Sequence, residues 1–279
     1  MPIVLSGKQV AAAINEDVAK RASVLADAGK PATLALLRIG ERSDDLSYER
    51  SAIKRAEALG IAIRKFELPA DADDDAVLGA VKEINEDASI HGCLMFCPLP
   101  KHLNAQAIMD ALLPEKDIDG IGSGSFAAIF SDRKGFAPCT AAACLAVLDY
   151  FGVETEGKRV VVVGRSLVIG KPVSMMLLRR NATVTICHSR SKNLSDITKE
   201  GDIVVCATGR AKAYGKEYFR EGQVILDVGV NFDEQGNMCG DVDFDDVSDM
   251  DVSITPVPGG IGSVTTAILM QHVVEAAEA

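Results

Sequence analysis

VVVGRSLVIGKP, residues 161–172, reads as a buried β-branched strand that runs into a turn at Gly164 and opens a helix at Gly170-Lys171-Pro172. The glycine spacing is not G-x-G-x-x-G. The physics is nevertheless that of a phosphate site. Glycines let the backbone come close to a phosphate, and a helix N-terminus favours negative charge. Pro172 suits a first helical turn, where its missing N–H is not needed. A plain strand–turn–helix with no ligand is the alternative on this stretch alone.

Working outward from that turn, short β-branched strands follow at Thr183–Cys187, Ile203–Ala207 and Val224–Val228, after Arg159–Val163. A helix from about Pro172 to Arg179 lies between the first two. Residues 141–260 therefore look like a doubly wound nucleotide-binding parallel sheet. Upstream, strand and helix patterns also alternate. Helical spacing runs over Gly7–Leu25, Leu46–Leu59 (stopped by Gly60) and Ala76–Glu86. Strand patterns run over Ala32–Ile39, Ile61–Leu68 and Gly92–Cys97, the last closed by Pro98-Leu99-Pro100. Three strand–helix repeats before residue 120 are the signature of an α/β layer. A Gly- and Ser-rich loop over 117–125 and an apolar helix over Thr140–Tyr150 connect the halves, and Val264–Ala277 forms a last apolar helix. The expectation is an α/β protein of two domains.

At the end of the second strand of the nucleotide half, a NAD site usually carries an acid for the ribose hydroxyl. Here the run is Cys187-His188-Ser189-Arg190-Ser191, with no acid. Arg165, Ser189 and Arg190 would suit a 2′-phosphate instead, which favours NADP over NAD. The bland alternative leaves both arginines as surface charge.

The whole chain has 279 residues, which suits about two domains, with 48% hydrophobic and 25% charged residues. That is enough for a sizeable core. With 29 Lys plus Arg and 40 Asp plus Glu, the net charge is −11, so no nucleic acid or anionic membrane is drawn by overall charge. No run approaches the roughly 20 apolar residues of a membrane span. MPIVLSGKQV lacks the basic-then-apolar pattern of a signal peptide, so a cytoplasmic protein is expected. The seven cysteines are scattered, without C-x-x-C spacing, and read as buried free thiols. The four histidines show no H-E-x-x-H, so no metal site is expected.

Several segments together resemble one family, the methylenetetrahydrofolate dehydrogenase/cyclohydrolases, across nearly the whole chain. They are Gly7-Lys8, Pro98-Leu99-Pro100, Pro114 to Gly120 (PEKDIDG), Pro138-Cys139-Thr140, Gly164-Arg165-Ser166 with Gly170-Lys171-Pro172, Cys187-His188-Ser189, Asp227 to Asn231 (DVGVN) and Gly240-Asp241-Val242. The most diagnostic is Thr255 to Gly262 (TPVPGGIG). The resemblance implies two domains around a cleft: an N-terminal α/β substrate domain, and a C-terminal Rossmann-like doubly wound parallel sheet. The folate-binding part would be 1–140, completed by a C-terminal helix over 262–279, and the NAD(P)-binding part 141–261. A homodimer, NADP and a tetrahydrofolate substrate are also implied.

Site residues carry over one by one. Tyr48 matches a Tyr that stacks on the substrate, and Asp119 an Asp that binds the pterin; both position substrate. Pro256, Gly259 and Gly260 match the turn that lets folate and nicotinamide approach. Gly164, Arg165, Ser166, Gly170, Ser189, Arg190 and Val230 would serve the cofactor, Val230 lining the nicotinamide pocket through its backbone.

Two positions depart from the family. Four residues after its Tyr the family carries a Lys, where this chain has Ala52; Lys54 lies about 200° further round the helix. The family's Gln-Leu-Pro-Leu-Pro is Phe96-Cys97-Pro98-Leu99-Pro100 here, so Phe96 replaces the Gln that pairs with that Lys. Smaller departures are Ala141 and Ser263, where the family has Pro. Hydride transfer mainly needs two aligned rings. Cyclohydrolysis moves protons and gains roughly 10²–10⁴-fold from an acid/base group. The expectation is a dehydrogenase whose cyclohydrolase is weak or absent. The alternatives are a bifunctional enzyme that uses Lys54 or solvent, and a catalytically inactive folate- or NADP-binding subunit.

Overall fold

The computed structural model describes residues 2–279. In chain order the first elements are β1 (Ile3–Val4), α1 (Gly7–Asp27), β2 (Thr33–Ile39), α2 (Ser43–Ala58), β3 (Ala62–Leu68), α3 (Asp74–Glu86), β4 (Gly92–Met95), α4 (Ala105–Ala111) and α5 (Ser123–Phe130). There follow α6 (Cys139–Tyr150), β5 (Arg159–Val163), α7 (Gly170–Arg179), β6 (Thr183–Cys187), α8 (Leu194–Glu200), β7 (Ile203–Cys206), β8 (Val224–Asp227), β9 (Asn231–Phe232), β10 (Met238–Cys239), β11 (Ser253–Ile254) and α9 (Ile261–Glu278). Each long element expected from periodicity is present, with ends shifted by a few residues.

The chain divides into two compact units. One holds Ala13–Cys139 and Thr266–Ala279; the other holds the N-terminal residues through Ala12 and Thr140–Thr265. The sequence-based boundary assigns the residues before 13 to the first unit, whereas the fold gives them to the other. The reason is a strand too short to show in the sequence. Ile3 and Val4 pair in parallel with Ser253 and Ile254, so β1 completes the other unit's sheet.

In the first unit a parallel sheet has the order β3-β2-β4. Central β2 is buried along its whole length, as its near-continuous apolar run requires, whereas edge strand β3 is exposed or half-buried throughout. Val77, Val81 and Ile84 of α3 pack into the core with Leu37, Ile39 and Met95. Helix α2 turns a narrow stripe inward, Asp45, Glu49, Ala52 and Ala56, at the four-three-four spacing of one helix face. Its rotation is fixed by charge. Buried Arg38 on β2 donates from Nε to Glu49 Oε2 at 2.6 Å, and Lys65 Nζ on β3 donates to Glu49 Oε1 at 2.6 Å. A buried pair satisfied on both sides holds register, because a helix rotation would leave a charge unpaired in the interior.

In the second unit a six-stranded sheet has the order β1-β11-β8-β7-β5-β6, every pairing parallel. From β5 the chain crosses to β6 on one side and then returns to β7 on the other. That reversal is the topological switch of a doubly wound sheet, where ligands gather at the carboxyl ends of the strands. Among the described residues no helix is long and apolar enough to cross a membrane.

Candidate active site

In the first unit Phe96, Tyr48 and Asp119 gather at the carboxyl ends of β2 and β4. Phe96 follows β4, is 5% exposed, and donates its backbone N–H to Leu37 O at 3.0 Å. Its ring meets Tyr48 of α2 edge-on, with centroids 6.0 Å apart and planes at 79°. This T-shaped contact suits the ring quadrupoles and holds Tyr48 as a platform. Tyr48 itself is 40% exposed, while burial of its hydroxyl end and the nearby Asp119 charge push its pKa up. One turn along α2, Ala52 is wholly buried, and Lys54 is exposed. The helix therefore presents a methyl group at position 52.

Asp119 is half-buried, and desolvation pushes its carboxyl up to about 6, Asp117 adding to the rise and a Cys139 hydrogen bond opposing it. Its loop is rigidly held. Asp117 accepts from Ile121 N, Gly122 N and Ser125 Oγ at 3.0, 2.9 and 2.6 Å. Lys116 Nζ donates to Ile84 O, Asn85 O and Asp87 O at 2.7, 3.0 and 2.8 Å, closing the end of α3. The expectation of seven buried thiols fails at one: Cys97 is exposed, and the other six are buried and free. Cys97 follows the last strand residues and lies at the rim of the site, and burial of its sulfur with the Asp119 charge pushes its thiol up to about 11. It is therefore protonated at neutral pH.

In the other unit, Gly164, Arg165, Ser166 and Ser189 line one cavity of about 390 Å³ at the carboxyl ends of β5, β6 and β7. Gly164 has φ +143°, and a Cβ there would lie 2.3 Å from Ala207 O. Gly170 is packed beneath it, since its Cβ would meet Gly164 O at 2.3 Å. Strand end, helix start and neighbouring strand thus converge without side chains between them. Gly170 and Arg190 are not in the cavity lining. Gly170 is buried behind it, and Arg190 is exposed, its N–H donated to His188 Nδ1 at 3.1 Å.

Residue-by-residue reading missed Thr208, Arg210 and Tyr214, which complete this cavity. The signal available was the rule that every strand end at the switch contributes, here the end of β7. Their loop is organised by buried Asp241, which accepts from Thr208 N–H and Oγ1, from Gly209 N, from Arg210 N at 2.9 Å and from Asn231 Nδ2 at 3.0 Å. Val230, Pro256, Gly259 and Gly260 line a second cavity of about 300 Å³. Val230 stands three residues beyond the end of β8, 56% exposed, and is not a core residue. Among the described residues no group of His, Cys, Asp and Glu could hold a metal ion.

The glycine-lined cavity at the switch point and the Tyr48–Asp119 cluster agree with a match along both halves. Residues 5–119 match the catalytic domain of the tetrahydrofolate dehydrogenase/cyclohydrolase family, and residues 138–279 match its NAD(P)-binding domain. The chain belongs to the tetrahydrofolate dehydrogenase/cyclohydrolase family. It is 50% identical over 277 residues to the bifunctional protein FolD of Carboxydothermus hydrogenoformans, covering 98% of this chain and 96% of that one. The crystal structure of the bifunctional enzyme FolD from Campylobacter jejuni matches with a TM-score of 0.96 at 33% identity, covering 100% of this chain and 99% of that chain. The FolD structure of Trypanosoma brucei, complexed with NADP cofactor and inhibitor, matches with a TM-score of 0.91 at 33% identity, covering 99% and 97%. In this chain the Gly164-Arg165-Ser166 turn lines the cavity at the strand ends, and Ala52 and Phe96 stand in the Tyr48 cluster.

Proposed function

We propose that this protein is an NADP-dependent 5,10-methylenetetrahydrofolate dehydrogenase with weak or absent cyclohydrolase activity. The observation that carries the reading is Ala52, wholly buried one turn along α2 from Tyr48, whose ring packs on Phe96. No amine or amide stands at either position. Tyr48 stacks on the folate, and the Asp119 carboxylate accepts hydrogen bonds from the paired donors of the pterin. Pro256, Gly259 and Gly260 give a side-chain-poor wall for the rings, and Val230 backs the nicotinamide.

The cavity at β5–β7 fits a dinucleotide phosphate. Gly164 admits close backbone approach, and Arg165 and Arg210 line the cavity and supply positive charge in an otherwise acidic chain. With no acid directly after β6, Arg165 and Ser189 suit the 2′-phosphate, and exposed Arg190 follows Ser189 in the same loop. NADP⁺, when bound, supplies the acceptor for the hydride of the one-carbon bridge. The chain's own part is to hold two rings in register and exclude water, and the substrate nitrogen lone pair stabilises the cationic product.

A second reading, the bifunctional enzyme, is favoured by the names of the relatives. Within the substrate cluster, Asp119 at about 6 is the group that titrates nearest neutrality and would carry the proton. Lys54 is exposed on another face of α2. Two assays on one sample separate these readings: NADP⁺ against NAD⁺ reduction with methylenetetrahydrofolate, and decay of methenyltetrahydrofolate above its spontaneous rate. Reduction without enzyme-driven decay supports the first reading, and decay well above background supports the second. Tight cofactor binding with neither activity would point to an inactive binding subunit. We further infer a cytoplasmic homodimer, which light scattering of the purified protein tests for the dimer.

A further inference from the structure

The loop that carries Asp119 is held from behind by the C-terminal helix. His272 of α9 is 8% exposed, and its Nδ1 lies 2.7 Å from Ile118 O. A carbonyl oxygen only accepts, so Nδ1 carries the proton and donates it. Burial pushes the imidazole below its ordinary pKa, against the charge of Glu275 one turn on, so the ring stays neutral. Cys139 Sγ, at the start of α6, donates to the same carbonyl at 3.4 Å and stands 3.8 Å from the imidazole Nδ1. The Phe136 ring packs on the imidazole, centroids 4.9 Å apart and planes at 38°. On the other side of Asp119, Gly120 has φ +64°, and a Cβ there would lie 2.6 Å from Pro138 N.

The carbonyl of Ile118 and the nitrogen of Asp119 belong to one rigid peptide plane. Turning that plane swings the Cα–Cβ bond of Asp119, and with it the carboxyl. We propose that His272 is a positioning residue for Asp119. Its Nδ1–H fixes the Ile118 peptide plane and so aims the Asp119 carboxyl at the substrate. Nothing in this chemistry requires His272 to touch folate. The inference rests on the reading of Asp119 as the pterin-binding carboxylate.

The test is dehydrogenase kinetics on the full-length enzyme and its Asp119→Ala, His272→Leu and His272→Asn variants, with melting temperatures alongside. His272→Leu removes the donor, while His272→Asn keeps a side-chain N–H near the position of Nδ1. His272→Leu is expected to raise KM for methylenetetrahydrofolate about tenfold, in the direction of Asp119→Ala, because misplacing a positioned group by about an ångström loses up to roughly 10²-fold. KM for NADP⁺ stays unchanged, and His272→Asn recovers most of the loss. Should His272→Leu fail to fold, His272→Gln, whose N–H reaches farther out, gives the same contrast with His272→Asn. A folate KM moved by Asp119→Ala but not by loss of the His272 donor overturns the inference alone. Equal KM values in the Leu and Asn variants, with only melting temperature altered, overturn it too. A folate KM unmoved by Asp119→Ala overturns the reading of Asp119, and the inference with it.

Discussion

The two units share one placement of their candidate residues and differ in what stands there. Both place their candidate residues at the carboxyl ends of parallel strands, after β2 and β4 in one and after β5, β6 and β7 in the other. In the second unit the Gly164-Arg165-Ser166 turn lines a cavity. The first unit sets Tyr48 and Asp119, the proposed substrate residues, beside Phe96 and carries a methyl group at Ala52. The contrast separates two demands usually met together. Aligning two rings needs shape and a few fixed donors and acceptors. Adding water and opening a ring needs a group whose pKa is tuned near the working pH.

Closing the cofactor cavity should give the largest effect. Gly164→Val forces a side chain into Ala207 O, 2.3 Å from the Cβ position, at a φ of +143° that suits only glycine. We expect NADP⁺ binding, followed by calorimetry, to fall by more than about 10²-fold, as a strained and blocked phosphate turn implies. Affinity for tetrahydrofolate should stay. Loss of both affinities together would break the division of labour between the units.

Asp119→Asn sharpens the comparison from the substrate side, and its sign is informative. The folded carboxyl is raised to about 6 from an ordinary value of 3.8. Between those values the unfolded chain is ionised and the folded one still protonated, so stability falls as pH rises through this window and then levels off. An amide carries no charge to desolvate. Asp119→Asn should therefore melt higher than the parent at pH 8, with the gain vanishing below about pH 4, where both side chains are neutral. Its folate KM should rise. A lower melting temperature at pH 8 would show that the carboxylate is stabilised where it stands, contrary to its position as a ligand-binding group held at a cost.

Most of this arrangement was legible in the sequence, for physical reasons that differ by element. Strand β2 reads as a strand because both its faces are buried, so its apolar run is continuous. Helix α2 reads as a helix because its charged, amphipathic run over Leu46–Leu59 is stopped by Gly60. What escaped was short or cooperative. β1 and β11 have two residues each, and only their pairing, Ile3 with Ser253 and Val4 with Ile254, makes them strands. Helices α4, α5 and α8, of seven or eight residues, show too few turns for a period to register. Thr208 and Arg210 carry no motif. They enter the cavity because Asp241, more than 30 residues on, gathers their N–H groups. His272 was unreadable for the same reason, since its partner Ile118 lies 154 residues away.

The smallest effect is expected at Lys54. Its exposed position, two residues past wholly buried Ala52, leaves it outside the cluster of Tyr48, Phe96 and Asp119. Lys54→Met should change dehydrogenase and any cyclohydrolase rate by less than about twofold, as a surface substitution does. A selective fall in methenyltetrahydrofolate hydrolysis would mean that α2 turns in solution to bring the amine inward, against the Arg38–Glu49 pair that fixes its register.

On the proposed function, the first unit aligns folate without an amine or amide at positions 52 and 96 to assist its hydrolysis. The most direct measurement compares methenyltetrahydrofolate hydrolysis by the parent and by the Ala52→Lys/Phe96→Gln double variant, with NADP⁺ reduction followed in both. Parent hydrolysis is expected near the spontaneous rate, with a rise of at least about tenfold in the variant, a fraction of the roughly 10²–10⁴-fold an acid/base group supplies. Rapid hydrolysis by the parent, with no gain in the variant, would contradict it.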